Sequence, residues 1–195
     1  MPVLPPLVVK IGGSALATGA ARDVLDLVMR SQRRVIVVPG GGRYADAVRA
    51  EQRREGYNDA TAHRLATLAM HRTAADLKHL APDLVAVATL QDAEQAFVAS
   101  KKCIWLPWPM IENEPGIVED WTMTSDALAA WLAGKIGAAD VVLVKSCEVP
   151  HGSTLDHLAR AGIVDPQFVI VVARAGLGWH VLGASNVLAL ATILA

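Results

Sequence analysis

The sequence has few cysteines: Cys103 and Cys147 are the only two in 195 residues. Two thiols are too few for a disulfide framework or a four-ligand zinc site, so we expect both to be reduced and buried. An excess of basic charge is also missing, because 18 basic and 19 acidic residues leave a formal net charge of -1. We therefore expect no nucleic-acid partner, since nucleic acids select strongly basic surfaces.

Long apolar runs are missing as well, although 53% of the residues are hydrophobic. No run approaches the roughly 18 consecutive apolar residues that a membrane-spanning helix needs, so we expect no membrane partner. The first seven residues carry prolines at positions 2, 5 and 6 and do not resemble a signal peptide. These features predict a cytoplasmic protein, and the length predicts a single domain over residues 1–195.

Short apolar runs alternate with helix-compatible segments along most of the chain. Strands are predicted at residues 7–11, 35–38, 84–87, 103–106 and 141–144. Helices are predicted at residues 20–33, 44–55, 60–79, 92–99 and 125–135. Strands that are apolar on both faces and alternate with helices are typical of a parallel sheet covered on both sides. The sequence therefore predicts an α/β fold with a mainly parallel sheet sandwiched between helices.

Three local features refine this prediction. Asp59 is expected to cap the helix over residues 60–79. Prolines and a glycine predict an irregular segment over residues 107–121. After residue 144 the pattern is ambiguous, because Asp165 followed by Pro166 favours a helix start whereas the β-branched run over residues 168–172 favours a strand. We favour the helix.

Two glycine clusters follow the first two predicted strands, at the edge of a parallel sheet where ligands bind. Backbone N–H groups of glycine turns can approach phosphate oxygens closely, so both clusters suit anions. Their alternative role is purely steric, as turns between a strand and a helix. Neither cluster fits a dinucleotide-binding or Walker motif. The clusters are Gly12 and Gly13 with Ser14, and Gly40, Gly41 and Gly42.

Lys10 lies in an otherwise apolar strand, two residues before the first glycine. A buried ammonium group is costly unless an anion neutralises it, and a phosphoryl group in transfer would do so. The alternative is a lysine at a strand end that reaches solvent. The two glycine clusters and Lys10 together indicate two phosphorylated ligands.

Three segments, in this order and spacing, resemble the amino acid kinase superfamily: residues 10–14 (KIGGS), 39–42 (PGGG) and 124–129 (TSDALA). Residues 58–63 with 68–70, 106–108 and 142–146 resemble its small branch of [5-(aminomethyl)furan-3-yl]methyl phosphate kinases, which act in methanofuran and methylofuran biosynthesis. The resemblance implies an amino acid kinase-like fold and a homo-oligomer. It also implies transfer of the γ-phosphoryl group of ATP, with Mg²⁺, to a small anionic acceptor. That acceptor would be a phosphomonoester such as an aminomethylfuran phosphate.

The resemblance further implies roles for single residues. Lys10 would stabilise the transferring phosphoryl group, Asp126 would organise the lysines, and Lys145 would replace a second catalytic lysine that relatives carry farther along. The nucleotide would contact Gly12, Gly13, Ser14, Lys145 and Ser146. The acceptor would contact Gly40, Gly41, Gly42 and His63.

Plain structural roles are the alternatives for several of these residues. Asp126 could be only a helix N-cap, and Lys145 an ordinary lysine at a strand end. His63, His71 and His79 recur every eight residues, about 12 Å apart along a helix, so they cannot share one metal ion. We expect no dedicated metal site and place His71 and His79 on the surface.

Residues 147–150 depart from the acidic-glycine turn of the superfamily, and the segment after residue 165 is short. These departures leave open a catalytically weak relative that binds a nucleotide or an oxyanion as a subunit of a larger assembly. A carboxylate or carbamate kinase is the enzymatic alternative to the phosphate acceptor.

Overall fold

The computed structural model describes residues 4–183, 186 and 188–195. In this part of the chain one sheet contains six strands in the order β3-β4-β2-β1-β5-β6, and every pairing is parallel. The strands are β1 (Leu7–Ile11), β2 (Val35–Pro39), β3 (Val85–Val87), β4 (Cys103–Trp105), β5 (Asp140–Val144) and β6 (Gly178–Leu182). The central position of β1, between β2 and β5, places its carboxyl end in the middle of one sheet edge.

Helices cover both faces of this sheet. They are α1 (Gly13–Thr18), α2 (Ala20–Arg30), α3 (Gly42–Glu55), α4 (Asp59–Leu80), α5 (Leu90–Val98), α6 (Trp108–Ile111), α7 (Ser125–Lys135), α8 (Leu155–Arg160), α9 (Pro166–Ala175) and α10 (Ala189–Leu194). Successive residues of β1 point to opposite faces. Val8 therefore packs in a core with α7 and α9, whereas Val9 packs in a second core with α2 and α10. The α/β sandwich predicted from the sequence is confirmed.

The helix predicted after Asp165 is confirmed as α9. The Asp165 side chain accepts a hydrogen bond from the backbone N–H of Phe168 at 2.9 Å, and Pro166 is the first residue of the helix. An N-cap and a proline with a suitable φ outweigh the strand preference of the β-branched run.

One strand was missed and three local predictions were wrong. β6 was not predicted, because this edge strand is only half-buried and lacks a continuous apolar run. The N-cap of α4 is Asn58, not Asp59: the Asn58 side chain accepts from the N–H of Thr61 at 2.9 Å. The segment over residues 107–121 contains the short helix α6. Cys103 is buried as expected, but Cys147 is exposed, since it follows β5 at the edge of the sheet.

The glycine turns after β1 and β2 pack directly against each other. A Cβ atom placed on Gly13 would lie 2.1 Å from the Cα atom of Gly42 and 2.5 Å from its nitrogen. The N–H of Gly40 donates to the carbonyl of Ile11 at 2.8 Å, which ties the second turn to the end of β1. Glycine is required at position 42 also because its φ is +52°. The two candidate anion sites are thus adjacent.

We predict that Gly13→Ala destabilises the fold, because the new methyl group meets backbone atoms that cannot rotate away. Gly12→Ala is the matched control, since a Cβ atom there would approach no heavy atom closer than 3.4 Å. Urea denaturation should give a loss of unfolding free energy of about 1–3 kcal/mol or more for Gly13→Ala. A much smaller loss is expected for Gly12→Ala. Equal stability of the two variants would contradict the backbone contact.

Candidate active site

Two lysines share one buried carboxylate at the carboxyl edge of the sheet. Lys10 Nζ lies 2.9 Å from Asp126 Oδ1, and Lys145 Nζ lies 2.5 Å from Asp126 Oδ2. Lys10 of β1 pairs with Leu143 of β5, so Lys145, two residues after Leu143, lies beside Lys10 at the end of the strands. Asp126 comes from the first turn of α7. The exposed fraction of the side chain is only 8% for Lys10, 13% for Lys145 and 5% for Asp126. We call this cluster of Lys10, Asp126 and Lys145 the two-lysine centre.

These residues do not have the simpler positions considered from the sequence, a helix N-cap for Asp126 and strand-end lysines that reach solvent. The N-cap position of α7 is Thr124, and the Asp126 side chain points to the lysines instead of capping its own helix. Neither lysine extends into solvent. Both ammonium groups are therefore held in the interior beside the two glycine turns.

The charges of the two-lysine centre depend on each other. Burial alone would raise the pKa of Asp126, but the neighbouring ammonium groups of Lys10 and Lys145 hold it below the usual carboxyl value. Burial and the nearby Lys10 lower the pKa of Lys145, whereas Asp126 and Asp165 oppose that decrease. Two ammonium groups in contact with one carboxylate leave positive charge for an incoming anion.

The turn after β1 also contacts the segment after β5. The Ser14 and Ser146 hydroxyl oxygens are 2.7 Å apart and share a hydrogen bond. The N–H of Gly12 donates to the Val144 carbonyl at 3.3 Å. The residues assigned to the nucleotide from the sequence are thus close neighbours around Lys145.

A cavity of about 1070 Å³ opens over this edge of the sheet. Its volume is large enough for a nucleotide phosphate chain and a small acceptor together. Asp126 lies behind the lysines and is absent from the lining. The other site residues predicted from the sequence all line the cavity: Lys10, Gly12, Gly13, Ser14, Gly40, Gly41, Gly42, His63, Lys145 and Ser146.

His63 is buried on α4 and lines the cavity. Its Nε2 atom lies 3.1 Å from the Met123 carbonyl oxygen. A carbonyl only accepts, so Nε2 carries the proton and donates it. Burial lowers the pKa of His63, which favours the neutral imidazole. In that neutral form Nδ1 has no proton to donate.

His71 is half-buried, not on the surface as predicted. Its Nε2 atom accepts a hydrogen bond from the backbone N–H of Trp108 at 3.1 Å. His71 thereby ties the start of α6 to α4, whereas His79 is exposed as expected.

Three contacts near the cavity were not found from the sequence. Trp121 lines the cavity, and its Nε1 donates to Gln52 at 2.7 Å while the Arg49 guanidinium lies 4.2 Å from its ring centroid. Asp165, interpreted from the sequence only as part of a helix start, also accepts from the N–H of Thr124 at 2.9 Å. All three contacts join residues distant in sequence, so no local pattern signals them.

The described residues contain no cluster of three or more His, Cys, Asp or Glu side chains that could hold a metal ion. Among the helices of this same part of the chain, none is long and apolar enough to span a membrane.

The model of the amino acid kinase family matches residues 5–148 of the chain. A curated relative, [5-(aminomethyl)furan-3-yl]methyl phosphate kinase of Methanocaldococcus jannaschii, is 23% identical over 190 residues, with 90% of this chain and 86% of that protein covered.

Solved structures show the same fold. Uridylate kinase from Archaeoglobus fulgidus superposes with a TM-score of 0.69 at 18% identity, covering 96% of this chain and 94% of that one. An isopentenyl phosphate kinase superposes with a TM-score of 0.62 at 10% identity, covering 97% and 96% of the two chains. The family match, together with a two-lysine centre beside two glycine turns, leads to one conclusion: the chain belongs to the amino acid kinase family and is a phosphotransferase.

Proposed function

We propose that the chain transfers the γ-phosphoryl group of ATP to the phosphate of a small phosphomonoester and so forms a diphosphate. One observation carries the proposal: the two-lysine centre lies where the two adjacent glycine turns meet. Phosphoryl transfer needs positioned reactants and neutralised charge more than covalent help from the protein. The cluster supplies the charge and the turns supply the positions.

In this mechanism the nucleotide phosphates lie against Gly12, Gly13 and Ser14, with Lys145 and Ser146 beside them. The acceptor phosphate lies against Gly40 and the N–H groups of Gly41 and Gly42 at the start of α3; the Gly40 N–H itself is bonded to the Ile11 carbonyl. An oxygen of the acceptor dianion forms the new bond to the γ-phosphorus while the bond to the β,γ-bridging oxygen breaks and ADP leaves. The nucleophile is already ionised, so no general base is required. Lys10 neutralises the charge on the group in transit, and Asp126 keeps both lysines in place.

Magnesium fits this proposal through charge. The two ammonium groups of the cluster already share one carboxylate and cannot offset a triphosphate alone. With no three-ligand protein site in the described residues, the phosphates themselves would hold Mg²⁺, which lowers their charge and orients them.

The names of the relatives and the acceptor side of the cavity support a phosphate acceptor. The curated relative, the uridylate kinase and the isopentenyl phosphate kinase are all named for acceptors that carry a phosphate. We propose an aminomethylfuran phosphate because the curated relative is named for that acceptor. Trp121 lines the cavity with Arg49 over its ring, and the carboxylates of Asp46 and Asp76, which pair with Arg49 and Arg43, line it as well.

We predict that Lys10→Met lowers kcat by about 100- to 1000-fold, since one electrostatic contact to the transition state is lost. The methionine keeps the length of the side chain and suits its buried position. ADP release with ATP and an aminomethylfuran phosphate measures the effect. Lys135→Met is the control, because Lys135 pairs with Glu114 on the surface, away from the cavity. A near-normal kcat of Lys10→Met would remove the proposed mechanism.

We predict that ATP raises the thermal unfolding temperature only when magnesium is present, because the two lysines alone cannot offset the charge of the triphosphate. A ligand stabilises the native state only to the extent that it binds it. Thermal shift assays with ATP plus magnesium, ATP plus EDTA, and magnesium alone make the comparison. Equal protection in EDTA would indicate an oxyanion-binding protein instead of a kinase.

We predict that, at a pH of about 5 to 6, His63→Gln and His63→Ala raise the acceptor KM by about tenfold and leave the ATP KM unchanged, since the lost contact is a charge-assisted hydrogen bond to the acceptor. The Met123 carbonyl already takes the Nε2 proton, so His63 donates to a phosphate only as the imidazolium. Burial lowers the pKa of His63, so this contribution is present at low pH and is lost as pH rises.

Because the pKa of His63 lies below its usual value of about 6.5, the difference in acceptor KM between wild type and His63→Gln should shrink as the pH rises toward about 6.5 and be small above it. His157→Ala, an exposed histidine on α8, is the control and should change neither Michaelis constant. Unchanged acceptor KM and kcat in both His63 variants would reopen the carboxylate and carbamate alternatives.

A further inference from the structure

The Asp165 carboxylate binds the N-termini of two helices at once. Oδ2 accepts from the N–H of Thr124 at 2.9 Å, from its hydroxyl at 2.8 Å and from the N–H of Ala127 at 3.2 Å. Oδ1 accepts from the N–H of Phe168 at 2.9 Å. A cap of α9 alone would need only the last of these bonds. The other three belong to the first turn of α7.

These three bonds bracket Asp126 in the chain. Residues 124 and 127 flank it, and their N–H groups converge on a single oxygen of Asp165. The first turn of α7 is therefore fixed against the start of α9, with Asp126 meeting Lys10 through Oδ1 and Lys145 through Oδ2. A small rotation of that turn would lengthen one ion pair or the other.

Asp165 also adds a second negative charge behind the two-lysine centre. The charged groups that act on Lys145 are Lys10, Asp126 and Asp165, and both carboxylates favour its protonated form against the effects of burial and Lys10. Burial and the nearby Asp126 raise the pKa of Asp165 itself, whereas its hydrogen bonds to residues 124 and 127 oppose that rise. Asp165 does not line the cavity, so any effect on catalysis passes through its neighbours.

We propose that Asp165 is a positioning residue: it holds the first turn of α7 so that Asp126 engages Lys10 and Lys145 through separate oxygens. This inference rests on the proposed kinase activity and assigns it a residue outside the cavity. The competing explanation is a carboxylate that caps two helices and contributes stability alone.

Asp165→Asn tests the proposal, because an amide has one acceptor oxygen and cannot serve both helices. We expect kcat to fall about 10- to 100-fold, as for other small displacements of catalytic groups, with the KM values for ATP and acceptor little changed. The alkaline limb of the kcat profile should move to lower pH, since loss of the negative charge lowers the pKa of Lys145.

Asp92→Asn is the matched control. Asp92 is also a capping carboxylate, accepting from the N–H groups of Ala88 at 3.3 Å and Thr89 at 3.0 Å at the start of α5, away from the cavity. We expect it to lower stability and leave kcat and the pH profile unchanged. The proposal is overturned if Asp165→Asn behaves in the same way, with lower stability but a normal kcat and profile.

Two further measurements cover a variant that does not fold or a wild type with no turnover. Thr124→Val removes one hydrogen bond to Asp165, and Thr124→Ser keeps it, so kcat should fall in the first variant and stay near the wild-type value in the second. Equal kcat values of the two variants would contradict the proposal.

Side-chain NMR of ¹³Cε-labelled lysine, assigned with Lys145→Arg, should show a lower pKa for Lys145 in Asp165→Asn. An unchanged pKa would overturn the positioning role. Because this titration needs no turnover, an inactive wild type would refute the proposed function while the titration still decides the role of Asp165.

Discussion

Asp126 joins two ammonium groups that the sheet brings to the same edge, and the geometry of the candidate active site depends on this shared carboxylate. Lys10 and Lys145 come from neighbouring strands and would repel each other in a low-dielectric interior without it. Removal of one partner from such a buried cluster leaves an uncompensated charge, which is far more costly than loss of a surface ion pair. The pair of Lys135 with Glu114, for example, is much more exposed, so loss of one partner there leaves a charge that water can solvate.

The close contact of the two glycine turns is the second constraint. Gly13 and Gly42 allow the backbones after β1 and β2 to touch, so the two candidate phosphate sites lie side by side. Phosphoryl transfer needs donor and acceptor oxygens roughly in line across a short gap. Larger side chains at these positions would push the two turns apart and so move the two candidate phosphate sites away from each other. The fold thus restricts the same positions that the proposed reaction requires.

The supporting residues around the cluster come from several elements. His63 and His71 lie on one helix but serve different contacts, one with the Met123 carbonyl and the other with the N–H of Trp108. Asp165 reaches back from the start of α9 to the start of α7. These buried polar contacts are satisfied within the protein, as low-dielectric surroundings demand. They connect Trp108 and Met123 to α4, and the start of α7 to the start of α9.

The sequence by itself determined the parallel α/β fold, the two glycine turns and the placement of Lys10, because apolar runs, turn residues and one charged residue in a strand are local patterns. It also placed a helix at Pro166. The family resemblance implied that Asp126 organises the lysines. Only the tertiary structure decided that Lys10 and Lys145 meet separate oxygens of Asp126, and that Asp165 binds a second helix. It also decided that β6 completes the sheet as an edge strand. The physical reason is that each of these depends on contacts between distant segments, whose directions are set by packing and leave no period or motif in the chain.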